Sequence, residues 1–464
     1  VPQIHGGLLA MEKHLDELEK LGWPKIDLVC VDLYPLESEI ADPESTRDSV
    51  IEKTDIGGPT MLRSGAKGRR IVVPDHASRG RVISWLKEGR PNEEAFITEL
   101  VARTEGIVAK YCLASARYHS NGDVDGMIGT KVRDLRYGEN PYMKARLYKT
   151  NENPLGVPEF EQIAGADPSM VNMTDIDRLA RTMIQIAATF ELSFGQVPCI
   201  ALAAKHGNAC GASVAMHPAT ALKKMLDGDP LAVFGGAIMT NFAIDQDGAS
   251  FLRTYGMSGS AKRLLDAVIS PSFSDDASEV LERKHGKCRM FQNPVLARVS
   301  REYLPRIQYR RVGGGFIRQD GYPFVLDIED SRMEKGGTTL TTSQKRDMAL
   351  AFAIGSTSVS NTITIVKNEQ LFGNGVGQQA RVRAARVALM IAQEGKHDVN
   401  DAVAYSDSFF PEPDGPLVLA DAGIKTIFAS SGSVKDAIVR AALAEKNVAF
   451  WQLPDTVCRG FFHH

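Results

Sequence analysis

Apolar and polar positions along this chain alternate with two periods. "KIDLVCVDLYPL" (25–36) is a short run rich in β-branched residues and predicts a buried parallel strand, stopped by Pro35. The segment after it, "IEKTDIGGPTMLRSGAKGRRIVVPD", predicts a loop with paired glycines, a helix from about 59 to 66 and a second strand at 70–73. Helical periodicity then runs from about 92 to 118, and the polar, turn-rich "HSNGDVDG" predicts a linker. The pattern restarts near Gly129. An amphipathic helix is expected over 174–190, capped by Thr174 or Asp175, followed by the strand "VPCIALAAKHG". "HPATALKKMLDGDPLAVFGGAIM" predicts helix, turn and a Gly-containing strand. From "TTSQKRDMALAFAIG" to "GNGVGQQARVRAARVALMIAQ" the same logic returns: helix, strand, Gly-rich turn, helix. The second region thus holds two modules of similar kind, and the alternation predicts α/β architecture throughout.

Composition narrows the function classes. A chain of 464 residues has room for two to four domains. Its net charge of -3 advertises no polybasic surface, which argues against general nucleic-acid binding but leaves room for a local anion pocket. No apolar run approaches the roughly 18 to 20 residues of a membrane span, and no signal-peptide pattern is visible. The cysteines at 30, 112, 199, 210, 288 and 458 include no CxxC pair, so neither a zinc site nor a redox dithiol is suggested; reduced thiols in a cytoplasmic protein are expected, and no metal. The sequence opens "VPQIHGGLLA", without methionine, so its natural start is expected to lie further upstream.

Five stretches could carry chemistry. In "CIALAAKHGNACGAS" an apolar strand ends on Lys205 and His206. Such a pair usually just leaves the core for water, since Lys is seldom buried. Here it falls at the C-terminal end of a strand, where open α/β sheets place ligands, and Gly207 and Gly211 allow close approach. An ammonium beside an imidazole favours the neutral ring, which can accept a proton from a weakly basic amine nucleophile. In "DLRYGENPYMKA", Arg136 offers a bidentate fork for phosphate or carboxylate; otherwise this is a polar loop. "FGNGVGQQARV" runs three glycines into a helix carrying Arg381 and resembles a phosphate cradle, although it lacks both the GxGxxG spacing and the Walker lysine. Asn361 starts the strand "VSNTITIV"; it is either a cap or a side-chain amide able to stabilise an oxyanion. In "SDSFFPEPDG", Asp414 follows two aromatics that are either core or the wall of a flat ligand.

Together with "IHGGLLA", "VDLYPL", "IEKTDIGGPTMLRSGAK", "LRYGENPY", "DPLAVFGGAI", "SSGSVKD" and the final "FFHH", these motifs resemble, along nearly the whole chain, the bifunctional AICAR transformylase/IMP cyclohydrolase family of purine biosynthesis. The resemblance implies a methylglyoxal-synthase-like cyclohydrolase domain over 1–128, lacking its N-terminal start. It also implies a transformylase over 129–464 with two cytidine-deaminase-like subdomains, split near 330. The transformylase would move a formyl group from 10-formyltetrahydrofolate to the 5-amino group of AICAR, and the cyclohydrolase would close FAICAR to IMP. A homodimer with transformylase sites at the subunit interface is implied. The family's catalytic pair falls on Lys205 and His206, and Asn361 matches the asparagine near the formyl group. Arg136, Tyr137, Asn172, Gly235, Asp266, Arg381 and Arg459 match substrate contacts; Phe410, Asp414 and Ser431 lie where folate is expected. In the cyclohydrolase part Tyr34, Asp55 and Lys67 match family positions, with Asp55 and Lys67 expected to orient the carboxamide that closes the ring.

The pattern departs from the family at particular residues. A first strand, a phosphate-binding segment and a further lysine would precede Val1. Ala209 replaces a usual proline, Ser356-Thr357-Ser358 replaces Lys-Tyr-Thr, and Glu412-Pro413 stands where Phe-Arg is usual. These changes remove positive charge near the expected folate site. Two alternatives therefore stand beside the folate enzyme: an AICAR formyltransferase with a non-folate donor, and a non-catalytic AICAR-binding regulator.

Overall fold

The structure is a computed structural model that describes residues 2–463. The chain divides into two compact units, one running to residue 131 and including 148–151, the other comprising 132–147 and everything from 152 onward.

In the first unit β1 (Leu28–Cys30) and β2 (Ile71–Val73) pair in parallel. The strand expected over 25–36 shrinks to three residues: Leu28 and Cys30 are exposed, and past Pro35 the chain enters the helix Leu36–Ala41. The partner strand β2, with the same single strand neighbour, is buried at all three positions. The helix Gly57–Lys67 lies close against β1; a Cβ on Gly65 would stand 2.6 Å from Cγ1 of Val29. Buried Arg70 serves the end of the helix Pro2–Leu9: its Nε donates to the carbonyl of Leu8 at 3.0 Å and its Nη2 to those of Gly7 and Ala10. Carbonyls in a helix's last turn lack intrahelical partners, and the guanidinium supplies them.

Two ribbons stand apart from the main sheet: β3 (Thr130–Leu135) with β4 (Ala145–Lys149), and β11 (Ile307–Val312) with β12 (Gly315–Asp320). The second unit is organised by one twelve-stranded sheet. Its first half contains β5 (Glu161–Ala164), β6 (Cys199–Lys205), β7 (Asn208–Ala215), β8 (Ala237–Thr240), β9 (Ala267–Ser270) and β10 (Arg289–Gln292). Its second half contains β13 (Glu334–Gly336), β14 (Ile363–Lys367), β15 (Gln370–Gly375), β16 (Val403–Ser406), β17 (Thr426–Ser431) and β18 (Ala449–Pro454). Read from the centre outward, the halves run β7-β6-β8-β9-β10-β5 and β15-β14-β16-β17-β18-β13. The same strand order comes with the same directions. Each half has a central hairpin antiparallel to the next strand, three parallel strands, and an antiparallel edge. The two sequence modules are therefore two copies of one topology, meeting at β7 and β15 through the Gln370–Ser213 pair.

Both faces of the sheet are covered, which explains why its strands read as unbroken apolar runs. Ile200, Leu202 and Ala204 of β6 pack with the helices Met170–Phe194 and Thr342–Gly355, which lie together on one face. Ala201 and Ala203 point to the opposite face, toward the helices Pro218–Leu226 and Gln246–Thr254. The helix expected over 174–190 begins earlier, at Met170, and its cap is Ser169, paired with Asn172 in a capping box. Thr174 and Asp175, the expected caps, lie inside the helix; a polar residue at the true start outcompetes them because it satisfies an orphan N–H.

The glycines of "FGNGVG" have a packing role. A Cβ on Gly373 would meet the carbonyl of Ala388 at 2.1 Å, and one on Gly375 that of Ala384 at 2.1 Å. These two let β15 press onto the helix Arg381–Glu394, while Gly377, at φ 67°, has no atom closer than 3.7 Å to where a Cβ would stand. The equivalent Gly211 in β7 stands just as close to the carbonyl of Met225, at 2.3 Å.

Each hairpin turn is tied down by an aspartate at the sixth position of the preceding central helix. Asp347 accepts from the N–H groups of Asn368 and Glu369, at 3.0 and 2.5 Å. Burial pushes its carboxyl up to about 6, against the pull of those two hydrogen bonds. A carboxyl raised on folding binds more protons in the native state, so its contribution is present below pH 4 and is lost as pH rises through about 6. Asp347→Asn should flatten the pH dependence of urea-unfolding stability between pH 4 and about 6, by on the order of 3 kcal/mol or less.

Candidate functional site

Two groups of side chains gather where the halves of the sheet meet. The first surrounds the β6–β7 turn. Lys205 closes β6, and its Nζ donates to the carbonyl of Phe234 at 3.1 Å, next to Gly235. His206 is exposed and sits at φ 53°, with Gly207 following at φ 74°. Both central residues are left-handed, as a two-residue hairpin turn of this twist demands, and this explains the glycine. Asp175 accepts from Gly207 N–H at 2.8 Å, while Arg178 Nε donates to the Gly207 carbonyl at 3.1 Å. The turn is held from both sides by the Met170–Phe194 helix.

Beside it, Asn172 Nδ2 donates to Asp266 Oδ2 at 2.5 Å, and buried Arg289 donates to Asp266 Oδ1 at 3.0 Å. Arg136 hangs at the mouth of this group. Its backbone N–H donates to Pro168, the carbonyl of Tyr137 accepts from Met170 N–H, and its exposed guanidinium lies 5.9 Å from the Tyr137 ring centre. An exposed guanidinium beside the N-terminus of a long helix attracts a phosphate. The strand-end argument needs correction: β6 is antiparallel to both neighbours, so its C-terminal end coincides with the N-terminal ends of β8 and β9. The rule for open parallel sheets does not apply here; the turn is exposed because it is a hairpin.

The second group lies across the seam. Asn361 precedes β14, which begins at Ile363, and its side chain is fully oriented. Arg381 Nη2 donates to Asn361 Oδ1 at 2.7 Å, and Asn361 Nδ2 donates to the Gln378 carbonyl at 2.7 Å. Arg381 Nη1 is bound to Ser406 Oγ at 2.8 Å and to Asp407, whose side chain is 0% exposed. Three of the five guanidinium N–H groups are thus engaged by the protein, leaving Nε–H and one Nη2 hydrogen, and one Nδ2 hydrogen of Asn361 also remains to be donated. A cleft of about 410 Å³ opens here, lined by Asn361, Arg381, Phe410, Asp414 and Arg459 among others. Phe410 is packed in the core at 1% exposure and presents only an edge. Asp414 is exposed and opens the helix Asp414–Asp421, where a loop was expected. Arg459 is paired with Asp455, and Glu412 with Lys435. Ser431 ends β17 opposite Pro454 and does not line the cleft.

Direct bonds stitch the two groups together. Asn208, two residues after His206, accepts through Oδ1 from the N–H of Val359, two residues before Asn361, at 3.1 Å. Asn374 donates to the carbonyl of Ala209 and to Ser358 Oγ, both at 3.1 Å. The Phe462 ring stacks 4.2 Å from the Arg178 guanidinium, and its carbonyl accepts from Ser360 N–H at 3.2 Å. Burial, with Arg178 and Arg181 nearby, pulls His463 down to about 4. Asp175, Asn208, Asp407 and Arg289 were not singled out from the sequence. Only the motifs "KHGN" and "SDSFFP" signalled two of them.

In the first unit Asp55 accepts from Gly58 N–H at 2.7 Å and from the backbone N–H of Tyr34 at 3.4 Å. Tyr34 is 55% exposed. The backbone bond joins Tyr34 to Asp55, and Lys67 closes the helix Gly57–Lys67 that follows Asp55, roughly 15 Å along its axis from Gly57.

Among the described residues no three His, Cys, Asp or Glu side chains group as a metal site, and no helix is long and apolar enough to cross a membrane. A histidine on an exposed turn, tied through Asn208 to the loop that carries an oriented amide, lies with an exposed arginine on a mixed α/β scaffold. A match to the AICARFT/IMPCHase bienzyme family spans residues 69–391. The bifunctional purine biosynthesis protein PurH of Chlorobium phaeobacteroides is 32% identical over 97% of this chain and 84% of its own length. That of Neisseria meningitidis is 30% identical over 97% and 85%. A crystal structure described as that of ForH covers 27% of this chain and 66% of its own at 28% identity, with a TM-score of 0.22 too low to bear on the fold. The chain belongs to the AICARFT/IMPCHase bienzyme family, whose members serve purine biosynthesis.

Removing the Arg381 guanidinium leaves Asp407 charged and buried. Arg381→Ala should cost about 3–5 kcal/mol in urea unfolding, and Arg381→Lys should lose Asn361's orientation with a smaller stability cost.

Proposed function

We propose that this chain transfers a formyl group from 10-formyltetrahydrofolate to the 5-amino group of AICAR and closes the product to IMP. The observation that carries the reading is the stitching of the His206 turn to the Asn361 loop through Asn208 and Val359. It supports a base and an oxyanion donor acting on one reacting centre.

The AICAR amine is a poor nucleophile because its lone pair is delocalised into the imidazole ring. His206 accepts the amine proton as the nitrogen attacks the formyl carbon. The free Nδ2 hydrogen of Asn361 meets the oxyanion that forms, and Lys205 adds positive charge beside it. Collapse of the tetrahedral centre breaks the bond to the folate nitrogen, which takes up the proton and leaves as tetrahydrofolate. Arg136 binds the phosphate, with Tyr137, Asn172, Gly235 and Asp266 around the nucleotide. Arg381 orients Asn361 and keeps its Nε–H and one Nη2 hydrogen for the substrate. The cleft walled by Phe410, Asp414 and Arg459 takes the folate, with Ser431 behind it. Ring closure is assigned to Tyr34, Asp55 and Lys67 in the domain over 1–128.

The repeated six-stranded halves support two cytidine-deaminase-like subdomains within 129–464, and the first unit a methylglyoxal-synthase-like domain. A cytoplasmic homodimer with shared transformylase sites completes the proposal. A non-folate donor is the second reading. It draws on the pairing of Glu412 with Lys435, which neutralises a lysine at the cleft's edge.

Incubation with AICAR and 10-formyltetrahydrofolate should release tetrahydrofolate together with FAICAR or IMP. AICAR binding without tetrahydrofolate release would overturn the folate assignment. His206→Ala should lower kcat by roughly 10²–10⁴ while AICAR affinity stays within a few-fold.

A further inference from the structure

The two copies of the hairpin differ at one chemically informative place. In the second half both oxygens of Asp347 are consumed by the turn: Oδ2 accepts from Asn368 N–H and Oδ1 from Glu369 N–H. The residue there that corresponds to His206 is Asn368, and the turn is closed by ion pairs of Glu369 with Arg346 and Lys224. In the first half Asp175 occupies the same helical position, but only its Oδ1 is used, by Gly207 N–H at 2.8 Å. Its Oδ2 takes no hydrogen bond from any described residue, although Asp175 as a whole is only 7% exposed. That oxygen is not closed off like the unpartnered atoms of the core, so it faces open space beside the turn and can accept a donor that arrives there. Among the charged groups around it are His206, Arg178 and Asp266. Arg178 already spends its Nε on the Gly207 carbonyl, and Asp266 is itself an acid held by Asn172 and Arg289. Arg178 keeps a buried Nη1 without a partner, on a guanidinium that rests over Phe462; His206 rides on the very turn that Asp175 holds, and its exposed ring is the group able to move onto Oδ2.

The geometry points to Asp175 as the positioning residue of His206: one oxygen fixes the turn, and the other accepts an imidazole N–H when substrate draws the ring inward. The second imidazole nitrogen is then presented to the amine as acceptor. The inference rests on the assignment of His206 as the base. Burial pushes the Asp175 carboxyl up to about 6, opposed by the Gly207 N–H and His206 and reinforced by Asp266.

Asp175→Asn keeps an oxygen for Gly207 N–H and removes the charge. It should lower kcat roughly 10- to 100-fold with the AICAR KM nearly unchanged, and move the acid limb of the kcat profile to lower pH. Asp347→Asn, the matched change in the other half, should alter stability alone. Unchanged kcat and profile in Asp175→Asn, or the same kinetic loss in Asp347→Asn, would overturn the proposal. Should Asp175→Asn fail to fold, ¹⁵N spectra of the wild-type imidazole with AICAR bound decide: one dominant His206 tautomer is expected, and an ordinary tautomer mixture overturns it. Failure of the base assignment is separable, because His206→Ala would then keep full turnover.

Discussion

The seam between β7 and β15 is the constraint on which the site depends. Few backbone contacts make it: one residue pair, Gln370 with Ser213, and a bond from Val214 N–H to the Glu369 carbonyl at 3.2 Å. It holds because both strands are pressed between helices on either side, and glycines let them approach helix backbone to a distance no side chain would tolerate. With the seam fixed, the β6–β7 turn of one half is delivered to the loop before β14 of the other, and Asn208 can bond to Val359. A shift of one residue would invert which side chains face the shared core.

Around that seam the polar groups form a scaffold in which each member orients the next. Asp407 holds Arg381, Arg381 holds Asn361, and Asn361 is closed by Gln378. Arg178 holds Gly207 while its guanidinium rests on Phe462, whose carbonyl bonds to Ser360 beside Asn361. Buried polar networks stabilise only when every member is satisfied. Asn361 keeps one Nδ2 hydrogen and Asp175 one oxygen outside this set of bonds, each at the edge of the scaffold.

The internal repeat shows how one architecture supports different work. Both halves cap the central helix with a Ser or Thr box, tie the hairpin turn with an aspartate, and thin the inner strand with glycine. The turn residues alone diverge: His206 and Gly207 in one half, Asn368 and Glu369 in the other. The second turn, with its ion pairs to Arg346 and Lys224, is a structural joint. The first is left exposed, as a reacting group requires.

Much was determined by sequence alone. The two-module pattern, the α/β alternation and the motifs around Lys205, His206, Arg136 and Asn361 are local features, written in hydrophobic period and turn chemistry. The helix start was misplaced to Thr174 or Asp175 because several residue types can cap, and only the hydrogen bonds show that Ser169 does. That Gly373 and Gly375 serve packing was hidden, because sequence cannot say what lies 2.1 Å from a missing Cβ. That Arg381 is also held by Asp407 could not be read from the sequence, because the two lie 26 positions apart and are brought together only by packing. The sequence determined which chemical groups exist and on what local structure they ride. The tertiary structure decided which oxygens and hydrogens are already spent, because satisfaction of a buried polar group depends on neighbours distant along the chain.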